Sequence, residues 1–400
     1  MPLPSDFVSH LQCPETEALL ERMKSLTSEP TQRSFLELRN ELKPVDLFCY
    51  LWARFGPPNG IQNFLRKDHS DNLVHWDWTL QHDQKLLGFW GTNFRTDLFI
   101  IGSTAFAEAD KLDLVAQIKS DYKNFGPKMA AVRSKLEHWT EFVNPYWRLT
   151  RAISSLRTEL ATIDLTSPFE HEFNTPTTLV EQHESWKSVA AAQSRAFGLC
   201  FGIRSMLPVW AEAFINLLIF SQARPDIKLD TRLMESIYRQ QIDVRVRALH
   251  INCIGFEKAV DYKAEEFKAF QRLINERNDL LHGNVVPEKQ RFNEVLFLRN
   301  IPVFNEYRSL WDRTFAVDAK AVGLDQLETE VKTVQDFIGY ILSCLKPKTR
   351  EMMEYIARRR DLARNDEDGR FGILFPEHLV DSRPSSQVPQ SQDAGIEGEV

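Results

Sequence analysis

The alternation of apolar and polar residues between positions 73 and 102 is the feature that most constrains the fold. Three segments, LVHWDWTL, KLLGFWGTN and TDLFIIG, each alternate with a period of two, and short polar breaks separate them. This pattern predicts a three-stranded antiparallel meander. In the first strand His75, Asp77 and Thr79 share one face, whereas Trp78 lies on the other. Such a sheet needs helices to cover it.

Most of the remaining chain has the spacing of helices. Before the boundary segment at residues 164–178, helices are predicted in PETEALLERMKSL, in TQRSFLELRNEL, over residues 108–123, and from Val132 to Leu160 with a kink or restart at Pro145. The boundary segment itself is polar and contains two prolines. Beyond it, helices are predicted from about 179 to 203, from Pro208, from near Asp230, and from about 263 to 282.

The expected fold class is mainly α, in more than one domain, because 400 residues exceed what one hydrophobic core usually holds. Residues 1–165 are expected to form an N-terminal α+β domain with long helices, of unknown function, that contains the meander. Residues 177–365 are expected to form a C-terminal helical bundle. Residues 381–400 have few apolar groups to bury, so they are expected to be a disordered tail.

Charge, cysteines and hydrophobic runs exclude several classes of protein. The net charge of −7 argues against a protein that coats nucleic acid through bulk charge, although a local basic site remains open. The five cysteines are far apart, which indicates neither a zinc knuckle nor a disulfide framework and fits a reducing cytoplasm. The start, MPLPSDFVSHL, has no signal-peptide pattern. The apolar stretch 196–220 is interrupted by Arg204, Pro208 and Glu212, so we interpret it as a buried helix and expect no membrane partner.

The best-defined motif is INERNDLLHGN, residues 274–284, on the last predicted helix. Gly283 is expected to end that helix. On an ideal helix Arg277 and His282 diverge by about 140°. His282, however, lies in the last turn, where its side chain can turn toward Arg277. Asn278 is four residues before His282 and is expected to orient one of the two side chains.

An arginine, a histidine and an amide together suit chemistry on RNA. An imidazole can take a proton from a hydroxyl or return one to a leaving group, which contributes roughly 10²–10⁴ in rate. A guanidinium donates bidentate hydrogen bonds to phosphate oxygens. The 2′-hydroxyl of RNA is itself a nucleophile, so these groups suffice without a metal. No nucleotide-binding loop and no H-E-x-x-H pattern is present, so neither a cofactor nor a metal is expected.

The run Arg277-Asn278-Asp279-Leu280-Leu281-His282-Gly283 resembles the signature of the HEPN superfamily of all-helical domains. The segment LPVWAEAFINLLIF, with Glu212 and Asn216, is similar to the acidic-residue helix of that family. The resemblance covers roughly residues 177–300. It implies a metal-independent endoribonuclease with a catalytic set of Arg277, Asn278, His282 and Glu212. It also implies a homodimer in which two motifs share one cleft, often in toxin–antitoxin or anti-phage systems, with an antitoxin or other protein partner.

Two other arginine–histidine pairs have the same spacing, in RSKLEH (133–138) and RVRALH (245–250), but neither has a glycine after the histidine, and in the second an apolar residue follows the arginine. Arg245 and Arg247 are candidates to bind the phosphates of a substrate.

Two other functions stay open. In a non-catalytic interaction or assembly protein, Arg277 would pair with Glu276 or Glu212 and His282 would only cap its helix. In an RNA-binding module, the same residues would bind RNA without cleaving it. The aromatic residues of the meander either stack on unpaired bases or form core; these are Trp76, Trp78, Phe89, Trp90 and Phe94.

Overall fold

The structure is a computed structural model. The residues it describes are 3–26, 32–65, 73–102, 105–165, 183–283, 291, 293–306 and 311–373. The chain forms two compact units: unit 1 comprises Met1–Phe142 and Asp361–Val400, and unit 2 comprises Val143–Arg360. The division therefore falls after Phe142 rather than within residues 164–178. Residues 381–400, for which we expect a disordered tail, lie outside the described residues.

The described chain is mainly helical, as the sequence predicts, with small antiparallel sheets. In chain order the helices are α1 (Thr16–Leu26), α2 (Pro44–Phe55), α3 (Gln62–Leu65), α4 (Glu108–Arg133), α5 (Pro145–Ala161), α6 (His183–Gln222), α7 (Pro225–Lys228), α8 (Thr231–Arg239), α9 (Ile242–Arg247), α10 (Leu249–Asn252), α11 (Glu265–His282), α12 (Val317–Val322), α13 (Leu327–Ser343) and α14 (Pro347–Ala357). The strands are β1 (Gln32–Leu38), β2 (Trp76–His82), β3 (Lys85–Gly91), β4 (Thr96–Gly102), β5 (Trp139–Val143), β6 (Val295–Leu298), β7 (Ile301–Phe304), β8 (Asp361–Asn365) and β9 (Phe371–Gly372).

The main sheet of unit 1 has the strand order β1-β4-β3-β2, and all its pairs are antiparallel. The predicted meander is confirmed as β2-β3-β4. The helix predicted in TQRSFLELRNEL is wrong, because its first part is strand β1. Leu36 and Leu38 are buried there with a period of two, and pairing with β4 decides the structure. Tertiary pairing outweighs the helical propensity of its Glu, Leu and Arg residues.

One face of this sheet forms the core of unit 1 against α2 and α4. Trp78 and Phe89 are fully buried on this face, so for these two residues the core interpretation is confirmed and base stacking is excluded. Phe94, by contrast, is 58% exposed. Helix α4 runs through Pro127, although Gly126-Pro127 predicts a break. A smaller sheet, in the order β5-β8-β9, returns the chain to unit 1 after Arg360.

Unit 2 is built around α6, a continuous helix of 40 residues. The sequence predicts two helices here, the second beginning at Pro208, but Pro208 lies inside α6. The proline removes the N–H that would bond to the carbonyl of Arg204. Burial of Leu207, Trp210 and Ala211 on either side of it stabilises the continuous helix.

Part of α6, Trp186–Gln222, is long and apolar enough to cross a membrane, and 67% of its most apolar window is buried within the protein. Such burial is typical of a core helix, so this helix is only weak evidence for a membrane span.

Asn144 joins the two ends of unit 2. Its side-chain oxygen accepts from the backbone N–H groups of Tyr146 and Trp147, at 3.0 and 3.3 Å, and caps α5. Its side-chain nitrogen donates to the carbonyls of Ile356 and Arg359, at 3.1 and 3.0 Å. Its backbone N–H donates to the carbonyl that precedes β8, that of residue 360, at 2.8 Å. Asn144 is fully buried and hydrogen-bonded on all sides, as a buried amide must be.

A buried ion pair links α6 and α13 in the core of unit 2. Both Nε and Nη2 of Arg204 donate to the carboxylate of Glu330, the first at 2.7 Å. Nη1 donates to the carbonyl of Val322 at 2.7 Å. Gly323 follows with a φ of +65°, and a Cβ built there would lie 2.2 Å from Nη1 of Arg204. Only glycine therefore fits between the end of α12 and this guanidinium.

Replacing this glycine tests the packing. Gly323→Ala is expected to lower the free energy of unfolding by about 2–4 kcal/mol, because it adds a clash with a fixed guanidinium to the cost of a left-handed alanine. The matched control is Gly283→Ala, at a φ of +60° with no atom within 4 Å of its Cβ, which should cost only about 1 kcal/mol. Urea unfolding followed by circular dichroism measures both. Equal losses would contradict the close approach.

Candidate functional site

Helix α11 carries the Arg277–His282 motif and is anchored through its first half. Phe267, Phe270 and Leu273 are buried, and the ring of Phe270 stacks on Phe337 of α13 with centroids 4.1 Å apart. The helix ends at Gly283, whose φ is +60° and whose N–H donates to the carbonyl of Asp279. Both the predicted helix and its glycine cap are confirmed.

The second half of α11 becomes progressively exposed to solvent. Arg277 and Asn278 are half-buried, whereas His282 and Gly283 are exposed. Leu281, next to His282, is 41% exposed. Gly283 has open space around it. The motif thus runs from a half-buried arginine to an accessible imidazole at the free end of the helix.

Arg277 has no acidic partner in the part of the chain that the structure describes. Its Nη1 donates to the side-chain oxygen of Asn278 at 3.1 Å, and its buried Nε has no acceptor. Among the residues that the structure describes, no carboxylate forms an ion pair with it. Glu276 lies 3.9 Å from Arg204, and Glu212 bonds to Arg245. The structural alternative, in which Arg277 pairs with Glu276 or Glu212, therefore does not describe this site.

Asn278 orients the arginine rather than the histidine. We expected its amide to fix either Arg277 or His282, and the hydrogen bond that the structure contains is the one to Arg277. This bond leaves Nη2 of the guanidinium available to donate to an anion. A guanidinium in this state offers directed donors as well as charge.

Arg245 belongs to a separate, internal cluster. It is 4% exposed, and its Nη1 donates to Glu212 at 2.9 Å and to Asn216 at 2.7 Å. Its Nη2 donates to the carbonyls of Tyr238 and Gln240, at 2.6 and 2.7 Å. With its terminal nitrogens engaged, Arg245 fixes α9 onto α6 and is not placed to bind a phosphate.

This cluster also corrects the pairing inferred from the sequence. Glu212 was considered as the partner of Arg277, but its partner is Arg245, and no hydrogen bond or ion pair in the described part of unit 2 joins the two sets. Sequence reasoning did not separate the roles of the two arginines. The sequence contains one signal that could have revealed this cluster. Glu212 and Asn216 are four residues apart on an apolar helix, and buried polar groups require a partner.

Arg247 is exposed, with its guanidinium 4.7 Å from the centre of the Tyr262 ring. Such stacking is a common arrangement for an arginine at a solvated surface. Its role as a phosphate-binding residue stays a prediction.

In the described ranges, no three His, Cys, Asp or Glu side chains are close enough together to hold a metal ion. All five cysteines are free thiols. Burial raises the pKa of Cys200 to about 11 and that of Cys253 to about 12, so neither has the character of a reactive thiolate.

No family model matches the chain, and searches of the curated proteins and of the solved structures return no significant match. The argument for function therefore rests on the site itself.

The two arginines are expected to respond differently to truncation. Arg245→Ala should lower the free energy of unfolding by about 2–4 kcal/mol, because it leaves Glu212, Asn216 and two carbonyls without their donor. Arg277→Ala should change it by less than about 1 kcal/mol, because it breaks no ion pair. Denaturant titration of both variants makes the comparison. A larger loss for Arg277→Ala would assign it a structural role.

Proposed function

We propose that the chain is a metal-independent endoribonuclease of the HEPN type, with Arg277, Asn278 and His282 as its site. One observation carries the proposal: Arg277, which has no carboxylate partner among the described residues, lies five residues before an exposed histidine in the last turn of its helix. The family resemblance further implies a role in a toxin–antitoxin or anti-phage defence system.

The free guanidinium favours an anionic ligand. The chain has 56 Asp and Glu residues, yet none in the described part pairs with Arg277, whereas Arg204 and Arg245 each form an ion pair with a glutamate. Partial burial reduces the competition from water, so a phosphate bound there gains more from each hydrogen bond than it would at a fully exposed arginine. The charge of Arg277 is therefore available where a phosphodiester can reach it.

The chemistry follows from these groups and from RNA. The 2′-oxygen attacks phosphorus and the bond from phosphorus to the 5′-oxygen breaks, which gives a 2′,3′-cyclic phosphate and a 5′-hydroxyl. His282 of one chain takes the proton of the 2′-hydroxyl, and His282 of a second copy gives a proton to the departing 5′-oxygen. Arg277, held by Asn278, stabilises the charge that builds on the phosphate oxygens.

Cleavage of single-stranded RNA in the presence of chelator tests this function. His282→Ala and Arg277→Ala are each expected to lower the cleavage rate by at least about 100-fold. The matched controls are His250→Ala, an exposed histidine of the same unit, and Arg272→Ala, an exposed arginine of the same helix. The product ends should be 2′,3′-cyclic phosphates. Cleavage that persists in the His282 variant, or that requires a metal, would contradict the proposal.

A second candidate function, self-assembly, rests on the hairpin β6–β7 in unit 2. This hairpin pairs Leu296 with Val303 and Leu298 with Ile301. These four residues are 50–70% exposed, and Phe297 on the opposite face is 66% exposed. Exposed apolar side chains that are contiguous in this way are typical of an interaction surface.

We infer that the occupant of this surface is a second copy of the chain. A two-stranded sheet is marginally stable by itself, and both of its outer edges lack a strand partner among the described residues. An identical hairpin packed across a two-fold axis covers both apolar faces with the same residues. The proposed cleavage step also requires a second copy of the chain, because it uses two His282 side chains.

The assembly state tests this surface. Wild type is expected to run as a dimer in size-exclusion chromatography with light scattering, and the double variant Leu296→Asp, Leu298→Asp as a monomer, because the charges remove the apolar contact. Leu229→Asp, at an 80% exposed leucine elsewhere in unit 2, is the control and should leave the dimer intact. A wild-type monomer at micromolar concentration would overturn the inference.

A further inference from the structure

A pocket lies on the face of the main sheet of unit 1 opposite the core. Its volume is about 220 Å³. The residues that line it come from the segment before α3 and from strands β2, β3 and β4; they are Ile61, Gln62, Asp77, Thr79, Leu86, Gly88, Trp90, Phe99 and Ile101. Neither the meander nor this face has a role in the proposed RNA chemistry.

One charged group lines this pocket. Asp77 is 2% exposed, and its carboxylate accepts from the backbone N–H of Gln62 at 3.1 Å. The hydroxyl of Thr79 and the indole of Trp90 also donate to it, the hydroxyl at a long 3.5 Å. Among the described residues, no lysine, arginine or histidine forms an ion pair with Asp77. It is thus a buried carboxyl with neutral partners only.

The chain holds this carboxyl in place through a close backbone contact. Gly60 donates its N–H to the carbonyl of Asp77 at 3.0 Å, and Asn63 donates to the same carbonyl at 2.9 Å. A Cβ built on Gly60 would lie 1.9 Å from Cγ of Asp77. Any other residue at position 60 would displace the carboxyl, so the glycine permits the approach.

The remaining wall is apolar and aromatic. The rings of Trp90 and Phe99 stack with centroids 5.7 Å apart and planes inclined by 23°. Leu86 and Ile101 pack with Leu19 of α1 at one end. Apolar cavities of about 150 Å³ hold a benzene molecule, so this pocket has room for a phenyl ring and a short side chain.

We propose that this pocket binds a small organic cation, an ammonium group carried on an apolar body about the size of a phenyl ring. The ammonium would lie at Asp77, and the body against Trp90 and Phe99. A buried carboxylate without a cation is costly, and a ligand cation removes that cost.

The protonation of Asp77 agrees with this assignment. Burial raises the pKa of Asp77 above its ordinary value, and hydrogen bonds from Gln62, Thr79 and Trp90 act in the opposite direction. An arriving ammonium favours the ionised form, so binding and ionisation support each other.

Isothermal titration calorimetry of the full chain with 2-phenylethylammonium tests the proposal. The alcohol 2-phenylethanol serves as the neutral probe of similar shape. The amine is expected to bind saturably and at least about tenfold more tightly than the alcohol. Asp77→Asn should abolish that preference. Asp97→Asn is the control, because Asp97 is also buried in this sheet but pairs with Arg95 outside the pocket.

A second variant keeps the test decisive if Asp77→Asn does not fold. Ile61→Trp should fill the pocket from its half-exposed side and weaken amine binding by at least about tenfold, with the circular dichroism spectrum unchanged. Absence of amine binding to the wild type, equal affinity for amine and alcohol, or amine binding unchanged by Ile61→Trp would each overturn the proposal.

Discussion

The hydrogen bonds of Asn144 are the constraint on which the arrangement of unit 2 depends. They cap the first turn of α5, and they connect the first residues of unit 2 to its last residues. An amide is suited to this role because it donates and accepts at once. A carboxylate would lose the two donated bonds, and an alanine would leave backbone groups of both ends without partners.

The polar groups of unit 2 differ in how completely the protein satisfies them. Arg204 is held by Glu330 and a carbonyl, and Arg245 by Glu212, Asn216 and two carbonyls. Both buried arginines thus stabilise packed helices. Arg277 has only the amide next to it. Because burial without a counter-charge costs free energy, this contrast is the physical basis for proposing that Arg277 binds an anion.

Local signals were enough to predict α11, its glycine cap and the meander, since helical spacing, a left-handed glycine and period-two alternation are encoded by neighbouring residues. They failed where distant contacts decide. Strand β1 exists because β4 pairs with it, and α6 continues through Pro208 because both sides of the proline are buried. The partner of Glu212 likewise could not be predicted from the sequence, because several arginines could pair with it and only the packing of the helices determines which one does. Asp77 and Thr79 were placed on one strand face, but the pocket in front of them depends on Gly60 and on two further strands.

The path of the chain through β5, unit 2 and β8 bears on whether unit 2 can be inserted, deleted or expressed separately. Strands β5 and β8 are neighbours in one sheet, although nearly the whole of unit 2 lies between them in the chain. A segment whose two ends lie close together can be inserted or deleted as a block, because a short turn is enough to reconnect the rest of the chain. Residues 143–360 are therefore a suitable fragment for expressing unit 2 alone.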